Sequence, residues 1–177
     1  MLADVFDLAP VEPELAGYDA CFFCLGVSAA GMSEERYTHL TYDLTLAVAK
    51  TLVRLDPAMT FAYVSGLGTD DTERGRVMWA RVKGRTENAL RALPFRGAYM
   101  FRPGIVEPAP GTVSRTTLYR VVYAVLGPLF PVLRRLFPQQ VTSTLRLGRA
   151  MLAVARDGYA RPVLESRDIN RLAGGPG

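Results

Sequence analysis

The chain has 177 residues, 49% hydrophobic and 21% charged, with a formal net charge of +4. That balance suits one globular domain, read as spanning residues 1–177, and excludes a disordered or fibrous protein. No block of about five or six like charges marks a nucleic-acid-binding arm, so no nucleic-acid partner is expected.

No run of about 20 apolar residues marks a transmembrane helix. Met1 to Pro10 carries Asp4 and Asp7 and no basic residue, so it does not read as a targeting peptide and the expected location is the cytoplasm. Nineteen of the 21 basic residues are Arg; the two lysines are Lys50 and Lys83.

In chain order, Ala3 to Asp7 reads as the end of a strand. Tyr18 to Leu25 is a continuous apolar run, as in a strand covered on both faces. It holds Cys21 and Cys24, which in a strand point to opposite faces and so read as two core cysteines rather than a redox pair. Gly26 to Gly31 is a loop of small residues. Ser33 suits an N-cap, with Glu34 and Glu35 in the first turn. Tyr37, Leu40, Leu44, Val48 and Leu52 recur at helical spacing, predicting a helix from Ser33 to Leu55. His39, the single histidine, is expected on its surface, and neither a metal site nor a Ser-His-Asp triad is expected.

Met59 to Val64 is a second apolar strand. Ser65 to Asp71 is a loop, and Arg76 to Leu93 a helix stopped by Pro94. Gly97 to Phe101 is a third strand, broken by Arg102-Pro103-Gly104. Glu107 to Gly111 is Pro-rich, and Thr116 to Phe137 reads as two short helices interrupted by Gly127-Pro128 and Pro131. Thr142 or Ser143 caps a helix over Leu145 to Arg156, and Pro162 to Glu165 reads as a last short strand.

Alternating strands and helices with near-continuous apolar strands predict parallel pairing and right-handed crossovers. The expected fold is α/β: a Rossmann-like, doubly wound parallel sheet whose three main strands are adjacent in chain order. Ligands of such sheets bind beyond the carboxyl ends of the strands, here the loops Gly26–Gly31, Ser65–Asp71 and Arg102–Gly104.

The order Tyr63-Val64-Ser65-Gly66-Leu67-Gly68, then Trp79 through Lys83 to Glu87, then Arg102-Pro103-Gly104, resembles the short-chain dehydrogenase/reductase superfamily. It is most similar to the extended and atypical branches that contain nucleoside-diphosphate-sugar epimerase-like proteins. Leu147 to Met151, Val163-Leu164-Glu165 and Asp168-Ile169 add to the likeness. The resemblance implies NAD or NADP as cofactor and a small-molecule substrate. Ser65 would hydrogen-bond the reacting oxygen. Lys83 would hold the nicotinamide ribose and lower the pKa of a tyrosine one helical turn earlier. Trp79 stands at that tyrosine position and has no useful proton.

The resemblance also sets Leu25 and Gly26 beside the adenosine ribose and pyrophosphate, and Asp4 and Val5 at the adenine. Arg102, Pro103 and Gly104 would lie over the nicotinamide end. Residues 105–140 become the substrate side, whose apolar content points to a lipophilic substrate. Plainer readings stand beside these. Lys83 is then a solvated residue loosely paired with Glu87, Ser65 a strand terminator, and Arg102-Pro103-Gly104 a strand stop.

No G-x-G-x-x-G lies between a strand and a helix. The resemblance therefore starts the chain near the family's third strand, as an N-terminally incomplete domain that binds NAD(P) weakly or not at all. The strand Tyr18–Leu25 would keep an exposed edge, prone to aggregation or to pairing with another chain, a homo-oligomer among the options. Two functions follow: an epimerase-like or reductase-like NAD(P)-binding enzyme, and a non-catalytic dinucleotide-binding or interaction module. The charge-free run Val121 to Leu133 has the look of an interfacial helix, but its Gly and Pro breakers argue against membrane-surface association.

Overall fold

The computed structural model describes residues 5–109, 135–136 and 139–174. Four strands form a parallel sheet in the order β1-β2-β3-β6. They are β1 (Ala20–Phe23), β2 (Thr60–Val64), β3 (Gly97–Arg102) and β6 (Val163–Glu165). The first three are adjacent in chain order, as expected of consecutive crossovers.

The sheet is covered on both faces, and β2 shows why. Its side chains alternate. Phe61 and Tyr63 join Phe23, Val48, Leu52, Leu90 and Met100 in one core. Ala62 joins Phe101, Met151, Val154, Leu164 and Ile169 in the other. Helix α3 (Leu44–Leu55) supplies Val48 and Leu52 and α4 (Met78–Arg91) supplies Leu90 to the first; α5 (Thr144–Asp157) supplies Met151 and Val154 and α6 (Ser166–Leu172) supplies Ile169 to the second. This is a doubly wound, Rossmann-like α/β sheet.

Several boundaries differ from the sequence expectation. β1 is shorter than the apolar run, because its pairing with β2 covers only Ala20 to Phe23. Tyr18 and Leu25 lie beyond it, 58% and 55% exposed. Cys24 therefore sits past the strand end and is exposed, while Cys21 is half-buried; both are free thiols. Burial pushes the Cys21 thiol up to about 11. The two do not form a pair of core residues.

Ser33 caps its helix, its hydroxyl accepting from Arg36 N at 3.3 Å. The stretch read as one helix is α2 (Glu34–Thr38), a π-helical segment (His39–Asp43) and α3. The wider turn leaves the apolar spacing legible but inserts a bulge, a feature often seen beside functional sites. His39 is exposed, paired with Asp43 and stacked on Phe6 at 4.5 Å.

Val5 and Phe6 form a turn, so the expected strand end is absent from the described part of that segment. The helix α1 (Glu12–Leu15) follows. A second parallel pair, β4 (Ile105–Glu107) with β5 (Val141–Ser143), was not foreseen. Strands of three residues carry too little periodicity to be read from sequence. Ser143 caps α5, accepting from Arg146 N at 3.2 Å. Apart from Arg135 and Leu136, the segment 116–137 lies outside the described residues, as does Asp4.

Candidate functional site

A cleft of about 520 Å³ opens beyond the carboxyl ends of β2 and β3. Its walls come from three loops and one helix. Val27 to Ala30 form one side, Ser65 to Leu67 the floor, Pro103 to Ile105 the other side, and Trp79 and Lys83 of α4 reach in from above. Tyr37 and Gln140 complete it. Backbone hydrogen bonds stitch the two strand-end loops together: Ser65 N donates to Phe101 O and Leu67 N to Pro103 O, both at 2.9 Å.

Helix α4 lies directly on the loop that follows β2. Asp70 N donates to Ala80 O at 3.1 Å. A Cβ on Gly84 would fall 1.7 Å from Asp70 O, so only glycine permits this approach. Arg81 ties α4 to α2 through Glu34 at 2.6 Å. These contacts carry Trp79 and Lys83 to the cleft, one turn apart on one helix face.

Beneath the floor lies a buried charged network. Glu87 is fully buried. Arg102 donates to it through Nε, at 3.0 Å to Oε1 and 3.2 Å to Oε2, and through Nη2 at 2.5 Å to Oε2. A second carboxylate, Asp71, is 3.4 Å from Arg102 Nη2. Hydrogen bonding to Glu87 drives the Arg102 guanidinium above its ordinary pKa, against the opposing effect of burial. Glu87 accepts on both oxygens, from Arg102 and from Ser65.

That fixes the Ser65 hydroxyl. Its one proton is donated inward, to Glu87 Oε1 at 2.5 Å, with Phe101 O at 3.2 Å as the alternative acceptor. Neither partner lines the cleft. Toward a ligand Ser65 has lone pairs to offer, not a proton. Lys83 is half-buried, and its Nζ donates to the Ser65 carbonyl. Burial lowers the Lys83 pKa, with the Glu87 charge pulling the other way.

The sequence-derived site residues divide. Ser65, Lys83, Pro103 and Gly104 meet at the cleft, with Trp79 on the Lys83 side. The Arg102 side chain turns away from the cleft and into the Glu87 pair. Leu25, 55% exposed, and Gly26 stop short of the cleft, whose wall begins at Val27. Val5, 39% exposed, is not part of it. Tyr63 is no substitute acid: it is buried in the core, and burial pushes its phenol well above the usual range.

Three contributors were missed. Glu87 had a signal, its i+4 spacing from Lys83, but its partner proved to be Arg102, brought in by β3. Tyr37 reads in sequence only as a helix core residue, and Gln140 reaches the cleft through β5. Among the described residues, no group of three metal-ligating side chains forms. No described helix is long and apolar enough to cross a membrane.

No family model matches the chain. It is similar to Protein FMP52-2, mitochondrial, of Scheffersomyces stipitis, with 32% identity over 98 residues, 54% of this chain and 41% of that protein. It is also similar to the crystal structure of gox2253, with a TM-score of 0.64 and 11% identity over 98% of this chain and 61% of that one. The second likeness supports the doubly wound α/β fold. The chain thus spans about two fifths of the one and three fifths of the other. The cytoplasmic expectation is corrected here: the relative is mitochondrial by name.

Proposed function

We propose that the cleft receives the nicotinamide end of NAD or NADP, and that the chain serves an epimerase-like or reductase-like protein of the short-chain dehydrogenase/reductase type. The substrate is a small lipophilic molecule. The observation that supports this reading is the meeting of Ser65, Lys83, Pro103 and Gly104 in one cleft at the strand carboxyl ends.

The residues fit one half of such a cofactor. Lys83 has N–H groups beyond the one given to Ser65 O, suited to ribose hydroxyls. Trp79, Leu67 and Pro103 give apolar walls for a flat ring. The pyrophosphate half has no such cradle among the described residues. The helix nearest the Val27–Ala30 wall opens on Glu34 and Glu35, whose carboxylates disfavour a phosphate there. A bound NAD(P) would supply a hydride donor or acceptor. The chain's own residues bind and orient: Lys83 by hydrogen bonds, Ser65 as an acceptor, and Trp79 as a wall that excludes water.

Titration with NADH and NADPH, followed through amide resonances, tests this. Shifts should concentrate at Ser65–Gly68, Lys83 and Gly104, and should weaken in Lys83→Met. Titrations that leave those amides unmoved would end the reading. Trp79 supports a second one, a dinucleotide-binding module without turnover. NAD(P)H oxidation over a panel of carbonyl compounds separates the two.

A further inference from the structure

We propose that Lys83 is a carbonyl-capturing amine, and that the cleft holds an aromatic aldehyde as a reversible imine on its Nζ. The placement argues for it. The Ser65 carbonyl accepts one Lys83 proton and so fixes where the nitrogen sits. Glu87, one turn along α4, is the acid that would otherwise lock an ammonium in place. Both its oxygens are taken by Ser65 and Arg102 instead. Trp79 and Leu67 line the same cleft with apolar surface, which suits an aromatic ring. Desolvation favours the neutral amine, the nucleophilic form.

The chemistry balances without a redox partner. The nitrogen lone pair attacks the carbonyl carbon and forms a C–N bond. Both amine protons pass to the carbonyl oxygen, the C–O bond breaks, and water leaves. Hydrolysis reverses each step. The inference needs only the cleft and its amine, and so stands apart from the dinucleotide reading.

The chain provides its own comparator. Its other lysine, Lys50, is exposed in the middle of α3. The native protein is treated with benzaldehyde and sodium cyanoborohydride near neutral pH, and peptide mass spectrometry measures N-benzyl adducts at both lysines. Adduct at Lys83 should form several-fold faster than at Lys50, and the difference should vanish in concentrated urea. Lys83→Arg should lose that adduct while Lys50 reacts as before. Equal rates in the native protein, or selectivity that survives unfolding, overturn the proposal. Adding excess NAD or NADP distinguishes the two readings. Trapping that the dinucleotide slows supports both, and trapping it leaves unchanged supports the amine while counting against the dinucleotide site.

Discussion

The Ser65 hydroxyl and the Glu87 carboxylate lie 2.5 Å apart in a buried bond that turns the only proton of the serine away from the cleft. The same carboxylate neutralises Arg102, which is 12% exposed. The two ends of this network should differ in cost. Glu87→Ala leaves the Arg102 guanidinium with only the more distant Asp71, 3.4 Å away, and breaking a buried pair costs about 3–5 kcal/mol. Ser65→Ala leaves the ion pair intact and removes one hydrogen bond, about 1 kcal/mol. Urea denaturation of both variants measures the contrast. A Glu87→Ala protein as stable as Ser65→Ala would show that Arg102 finds another partner.

Gly84 is the second point on which the site's geometry hangs. Its Cα faces the Asp70 carbonyl so closely that an added methyl would sit 1.7 Å from the oxygen. The obstacle is backbone, which cannot swing aside as a side chain can. Gly84→Ala should therefore destabilise by about 2–3 kcal/mol, the upper part of the overpacking range, despite the better helix propensity of alanine. Thermal unfolding checks this. A melting temperature unchanged or raised would mean that the loop after β2 moves freely from α4.

The sheet was legible in the sequence because β2 and β3 are apolar on both faces and bounded by glycine, proline and serine. Ser65, Lys83, Pro103 and Gly104 were singled out in the sequence by the family resemblance, and the fold brings the four to one cleft. The pairing of Arg102 with Glu87 was not legible. In sequence one resembles part of a loop motif and the other half of a loose helical ion pair. Only the register of β3 on β2 puts Arg102 beside α4. The β4–β5 pair and Gln140 stayed hidden because the pairing joins residues more than 30 positions apart through three-residue strands.

Asp70 organises the turn between β2 and α4. Its carboxylate accepts from the Thr72 hydroxyl at 2.6 Å, from Gly75 N at 2.6 Å and from Thr72 N at 3.1 Å. These bonds, the Thr72 hydroxyl foremost, hold its pKa below the ordinary 3.8. They also brace Glu73, which adopts a φ of 60°. With the folded value depressed, the unfolded chain takes the proton first on acidification. Its contribution is then present above 3.8 and lost as pH falls through the lower folded value. From about pH 5 downward, wild type should lose stability more steeply than Asp70→Asn. Parallel pH profiles for the two proteins would remove Asp70 as the cause.

The outer edge of β1 has no strand beside it among the described residues. Next to it Tyr18, Phe22 and Leu25 are 58%, 39% and 55% exposed. Unpaired N–H and C=O groups together with exposed apolar side chains make an edge that recruits another strand. A lysine at the outward position Phe22 should block this, because a second chain would have to bury or face its charge. Phe22 contributes little to either core, so Phe22→Lys should change stability by no more than about 0.5 kcal/mol. Sedimentation velocity at rising concentration should show self-association in wild type and less of it in the variant. A wild-type chain that stays monomeric throughout would show that the edge is closed by means other than a partner.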